Sequence, residues 1–101
     1  NFERAIAKRF TKAGAPAHRV PLSGAVEGYP GDVAVDLPGE RIVLEAKVRK
    51  TDFVMIRRWL AGNDAVVLGS QRQSSLVVME LDRFIGILTN AGLITPAPDE
   101  E

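Results

Sequence analysis

The feature that most constrains this chain is the alternation on either side of Pro38-Gly39. Before the turn, Val33, Val35 and Leu37 fall on one side of an extended backbone and Asp32, Ala34 and Asp36 on the other. After it, Ile42, Leu44, Ala46 and Val48 alternate with Arg41, Val43, Glu45, Lys47 and Arg49. A period of two belongs to strands with one covered face, and Pro-Gly-Glu turns the chain between them. The pattern predicts an antiparallel hairpin with one apolar and one charged face. The charged face needs explaining, because Asp32, Glu45 and Lys47 stand where the strands should be most regular.

The flanking segments supply what such a hairpin must pack against. Phe2, Ile6 and Phe10 recur every four residues beside Ala5 and Ala13, which predicts a helix over residues 2–13 ending at Gly14. Arg4, Lys8 and Lys12 form a second, basic row on that helix, facing outward. A short extended segment broken by prolines follows, then the loop Ser23 to Gly31, rich in Gly. Beyond the hairpin, residues 51–64 read as a short helix with Thr51 or Asp52 as N-cap, a core stripe of Phe53, Ile56, Trp59 and Leu60, and Gly62 at its end. Two further strands, over 65–70 and 75–81, are joined by a polar turn, and Leu81, Phe84, Ile85 and Leu88 mark a last helix. The order α-β-β-β-α-β-β-α is that of an α/β chain with helices packed on a mixed sheet.

Composition narrows the chemistry. A length of 101 residues suits one domain, expected over residues 1–95, with an acidic, Pro-containing tail over 96–101. Hydrophobic residues at 46% are enough for a core, so disorder is excluded as a reading. Cys is absent and His18 stands alone, so any metal would be held by oxygen. No apolar run approaches the roughly 18 residues of a membrane helix and no leader opens the chain, so a soluble, cytoplasmic protein is expected. From Asn1 to Arg58 there are eleven Lys/Arg against seven Asp/Glu, and from Trp59 to Glu101 two against six. The first half is therefore the candidate for a basic working surface.

Glu45 and Lys47, two apart on a strand, leave the sheet on one face, and the hairpin turn brings Asp32 alongside. Converging carboxylates repel, and a hard divalent cation such as Mg²⁺ or Mn²⁺ relieves that repulsion. A neighbouring Lys then suits an attacking water and a developing phosphate charge. A solvent-facing hairpin carries Glu and Lys as a matter of course, so the pair needs context.

The context is Gly31-Asp32 followed thirteen residues after the Asp by Glu45-Ala46-Lys47, with Phe2-Glu3-Arg4 and His18-Arg19-Val20-Pro21-Leu22-Ser23-Gly24 upstream. This set resembles the PD-(D/E)xK nuclease superfamily, and within it the archaeal-type Holliday junction resolvases and their phage relatives, over roughly residues 2–68. The resemblance implies a restriction-endonuclease-like α-β-β-β-α-β core with a central mixed β-sheet flanked by helices. It implies a Mg²⁺-dependent endonuclease, with Mn²⁺ as substitute, that cuts four-way DNA junctions in pairs. Asp32, Glu45 and the Ala46 carbonyl would be metal ligands, Glu3 an outer ligand, Lys47 the partner of the attacking water, and Ser23 a loop contact to the scissile phosphate. Arg19 would bind a backbone phosphate, and Arg4, Lys8, Arg49, Lys50, Arg57 and Arg58 would extend the DNA-binding surface, with Arg9 and Lys12 beside them. His18 is expected to be structural. The family's usual Gln on the helix after Glu-x-Lys is missing, and Arg57 and Arg58 stand in that region. Two symmetric cuts call for a C2 homodimer, for which Leu76, Val78, Leu81, Phe84 and Ile87 are candidate interface residues. Two alternatives remain: another DNA nuclease with the same core, or a DNA-binding module that does not cut.

Overall fold

The computed structural model describes residues 1–21 and 31–96, in the order α1 (Phe2–Ala13), β1 (Ala17–Arg19), β2 (Val33–Leu37), β3 (Glu40–Leu44), α2 (Val54–Leu60), β4 (Val66–Leu68), β5 (Leu76–Val78) and α3 (Leu81–Asn90). The expected sequence of elements is thus present. It falls into two compact units, Asn1–Val48 with Leu88–Glu101, and Arg49–Ile87.

In the first unit α1 forms because its local signals agree. Asn1 caps it through Oδ1, which accepts the Arg4 N–H at 2.9 Å, and Glu3 sits in the first turn, where an acid is favoured by the helix dipole. Gly14, at φ 115°, ends it with its N–H donating to the Phe10 and Thr11 carbonyls. The Gly14 Cα lies so close to the Thr95 carbonyl that a Cβ has no room there. The helix buries Ile6 and Phe10 and packs on β1 and β2. Arg4, Lys8 and Lys12 are exposed, as the sequence indicates.

The strands β1, β2 and β3 make an antiparallel sheet with β2 central, Arg19 opposite Val33 and Val33 opposite Leu44. Pro38 and Gly39 form the two-residue hairpin turn, and Gly39 takes the positive φ of 76° that a type II turn asks of its third residue. The expectation of one apolar and one charged face fails for β2. Val33, Ala34 and Val35 are all buried, so this central strand, with α1 packed against it, is covered on both of its faces. Asp36, unassigned from sequence, accepts from its cross-strand partner Arg41 at 2.7 Å. His18 is exposed on the edge strand β1, opposite Ala34. Ile94 and Ala15 complete this unit's buried set with Leu88.

The second unit departs further. β4 and β5 pair only with each other, so instead of one mixed sheet there are two antiparallel ones among the described residues. Strands of three residues joined by a short polar turn satisfy their hydrogen bonds locally. α2 begins at Val54 after Phe53, a left-handed N-cap at φ 52° without a side-chain bond; neither Thr51 nor Asp52 caps it. Phe53, Ile56, Arg57 and Leu60 face a groove of about 500 Å³ shared with Val78, Met79, Glu80, Leu81 and Asp82. Trp59, expected in the core, lies outside this set and is 51% exposed. No helix among the described residues is long and apolar enough to cross a membrane.

Candidate functional site

Gly31 shapes the candidate site. At φ 83° it occupies backbone space that L side chains rarely adopt, and a Cβ there would run into Val43 Cγ1 and stand 3.2 Å from the Leu44 carbonyl oxygen. Immediately after it, Asp32 breaks the ladder. Its C=O accepts the Val20 N–H at 2.9 Å, toward β1, while its N–H donates to the Leu44 C=O at 2.8 Å, toward β3. In a regular central strand both groups of one residue face the same neighbour. Here Asp32 and Val33 together oppose Leu44, the two-against-one arrangement of a β-bulge, which re-aims side chains at the ends of sheets.

The Asp32 side chain completes the local structure. Its Oδ2 accepts the Ala46 N–H at 2.8 Å, part-buried, so a carboxylate takes the donor that a continuing strand would have paired through backbone. β3 accordingly ends at Leu44, and Glu45, Ala46 and Lys47 lie outside regular strand. This corrects the expected strand through Val48. The burial alternation nevertheless persists through Lys47: Glu45 and Lys47 are exposed and Ala46 between them is half-buried, whereas Val48 is exposed instead of covered.

Glu3 and Arg19 meet at the same end of the sheet. Arg19 Nε donates to Glu3 Oε1 at 3.2 Å, joining the first turn of α1 to the end of β1, one residue from the Val20 bond to Asp32. The structure therefore gathers Glu3, Arg19, Asp32 and Ala46, with Glu45 and Lys47 adjoining by chain. Sixteen residues separate Glu3 from Arg19, and no sequence pattern signals their pairing. Among the described residues no three acidic or imidazole groups come together as a ready metal cluster. Ser23 lies outside the described residues. Arg4 and Lys8 are exposed on α1, while Arg49, Lys50, Arg57 and Arg58 are exposed in the second unit. Arg57 Nε donates to the Asp52 carbonyl at 2.9 Å.

Oxygen donors at a bulge, a bracketing Glu and Lys, and basic side chains on the adjoining helix form a set of parts that a phosphodiester-cleaving site would use. Comparison with family models matches residues 1–61 to the archaeal Holliday junction resolvase family. Comparisons with curated proteins and with solved structures give no match. The match spans more than half of the 101 residues and takes in both halves of the bulged hairpin, the Glu3–Arg19 pair and α2, so the chain belongs to the archaeal Holliday junction resolvase family.

Proposed function

We propose that the chain is a divalent-metal-dependent endonuclease that resolves four-way DNA junctions by paired phosphodiester cleavage. We take residues 1–95 as its nuclease domain, 96–101 as an acidic tail, and the cytoplasm as its place of action. The observation that carries the reading is the Asp32 carboxylate held against the Ala46 peptide at a bulge, within a chain of this family.

The donor chemistry fits a hard cation. Asp32 and Glu45 offer carboxylates and Ala46 a carbonyl, all oxygen, and the chain has no Cys to offer a soft alternative. These residues would hold Mg²⁺ or Mn²⁺, with Glu3 as an outer ligand. Such an ion, when bound, supplies Lewis-acid polarisation of the phosphate and a more acidic water. Lys47 orients the attacking water and stabilises the charge that develops on the phosphate oxygens. The water oxygen bonds to phosphorus, one P–O ester bond breaks, and the products are a phosphate monoester and a hydroxyl. Arg19, Arg4 and Lys8 hold the flanking phosphates, Ser23 contacts the scissile one, and Arg49, Lys50, Arg57 and Arg58 are DNA contacts of the second unit.

Paired cutting calls for a C2 homodimer, and exposed apolar side chains in the second unit supply a surface for it. Val67 is 69% exposed, Leu76 63% and Val77 61%, uncharged and on one hairpin. Of the other expected interface residues, Ile87 is exposed while Val78, Leu81 and Phe84 are half-buried, two of them lining the groove.

The test is an immobile four-way junction against linear duplex, each with Mg²⁺ and with EDTA. Symmetric paired nicks that need the metal, and that disappear in Asp32→Ala and Glu45→Ala while junction binding persists, are expected. Cleavage unaffected by EDTA would refute the reading. A second reading, a DNA-binding module that does not cut, is favoured by one observation: Glu3 is paired with Arg19. Junction binding without nicking at any Mn²⁺ concentration would establish it.

A further inference from the structure

α2 is apolar on both of its sides. Its inner side, Phe53, Ile56, Arg57 and Leu60, follows the i, i+3, i+4, i+7 spacing and lines the groove. The opposite side carries Val54, Met55, Arg58 and Trp59, with Val54 58%, Met55 52% and Trp59 51% exposed, and Arg58 exposed with them. A surface helix ordinarily sets polar residues there. Three large apolar side chains around one Arg on a seven-residue helix need an occupant.

We propose that Trp59, framed by Met55 and Arg58, is a stacking platform for a nucleobase that has lost a stacking neighbour at the branch point of junction DNA. The inference rests on the reading of the chain as a binder of branched DNA and adds a specificity residue to it. Charge argues for a polyanion: Arg49, Lys50, Arg57 and Arg58 stand against Asp52 alone across residues 49–58. Arg58 has no ion-pair or hydrogen-bond partner among the described residues, so its guanidinium is available for a phosphate or for a base plane. A second copy of the chain fits this face poorly, because an isologous contact centred on the outer side of α2 would set Arg58 against its own symmetry mate.

Rigidity supports the platform. Asn63 Nδ2 donates to the Trp59 carbonyl at 3.0 Å and the Asn63 N–H to the Leu60 carbonyl at 2.8 Å, which fixes the helix end beneath the indole. An exposed aromatic on a fixed backbone loses little freedom on stacking, and every base offers a π-face, so the contact reads stacking state and not sequence. A continuous duplex buries its base faces within the stack; a branch point interrupts that stack.

Trp59 is the only Trp in the chain, so intrinsic fluorescence reports on it alone. The full chain, in EDTA to prevent cleavage, is titrated with a labelled four-way junction, with linear duplex of the same arms, and with single-stranded oligothymidine. DNA anisotropy and Trp emission are read together. Quenching that tracks the anisotropy rise for the junction and the single strand, with little for the duplex, is expected. Trp59→Ala should weaken junction binding about tenfold and leave duplex binding unchanged, with Trp59→Phe recovering most of the loss. Binding of the junction with no change in emission would overturn the inference while leaving the junction-binding reading intact. So would equal weakening for junction and duplex, or an emission shift driven by protein concentration without DNA. A flat anisotropy with every DNA would remove both.

Discussion

Replacing Gly31 by Ala tests whether the bulge is built as described. Gly31 and Gly39 share a positive φ, 83° and 76°, but differ in surroundings: a Cβ at Gly39 meets nothing within 4 Å, whereas one at Gly31 meets Val43 Cγ1 and, at 3.2 Å, the Leu44 carbonyl oxygen. Each Ala should therefore cost the left-handed penalty of about 1–2 kcal/mol. Gly31→Ala should cost roughly 1 kcal/mol more, since Val43 must leave its rotamer to make room and β-branched side chains are stiff at χ1. Against a total stability on the order of 5–15 kcal/mol, a loss of about 2–3 is readily measured.

Urea unfolding followed by circular dichroism is the assay, with the midpoint falling by about 1 M or more for Gly31→Ala and less for Gly39→Ala. Adding Val43→Ala isolates the steric part, because Val43 is the atom in the way; the double-mutant cycle should return a coupling near 1 kcal/mol that favours the pair. Amide chemical shifts give the local reading: the Ala46 N–H should lose its bonded shift in Gly31→Ala and keep it in Gly39→Ala. Equal destabilisation by the two substitutions, with no coupling to Val43, would refute the close approach and with it the account of how Asp32 is aimed.

Asp32→Asn keeps an acceptor for the Ala46 N–H but not the charge, so it should fold with a loss of about 1 kcal/mol while Mn²⁺ no longer raises its melting temperature; full Mn²⁺ stabilisation would place the metal elsewhere. Arg19→Ala breaks an exposed ion pair and should change stability by less than about 1 kcal/mol, yet reduce the salt slope of junction binding by about one; an unchanged slope in anisotropy titrations would remove Arg19 from the phosphate contacts. Ile94→Ala, at a fully buried side chain beyond the family match, should cost about 2–5 kcal/mol in urea unfolding, and a near-neutral result would detach residues 88–96 from the first unit's core.

Much of the architecture was legible because it is written in periodicities. The bounds of α1 follow from Phe2, Ile6 and Phe10 with an Asn before and a Gly after, and the hairpin follows from alternation around Pro38-Gly39. What alternation reports, however, is burial, and burial alternates through Lys47 although the backbone ladder ends at Leu44. A side-chain acceptor replacing a backbone one leaves no trace in the apolar pattern. The same limit explains α2. Phe53, Ile56, Trp59 and Leu60 read as one core stripe, and Phe53, Ile56 and Leu60 do line the groove, but the helix is entered through a left-handed residue and Trp59 falls on its outer side. The candidate site residues read as a motif, while the contacts around them do not: Glu3 with Arg19, and Asp32 with Val20, Leu44 and Ala46, are all products of the folded sheet.

Those contacts give Asp32 two demands on one side chain. As an acceptor for the Ala46 N–H it sets where β3 leaves β2, and so where Glu45 and Lys47 begin to project free of the ladder. As a proposed metal ligand it must offer oxygen outward. A carboxylate meets both demands because each of its two oxygens carries two lone pairs, whereas Asn has a single oxygen and Ser a hydroxyl that cannot reach as far. The backbone contributes the remainder of the constraint: with the Asp32 N–H bonded to Leu44 and its C=O to Val20, the residue is pinned to both neighbouring strands, and the carboxylate has little translational freedom left to lose on meeting a cation. The bulge and the metal proposal are thus linked physically. A regular strand at this position would direct both backbone groups of Asp32 to one neighbour, let β3 continue past Leu44, and leave Glu45 and Lys47 as the solvent-facing pair that the alternation alone suggests.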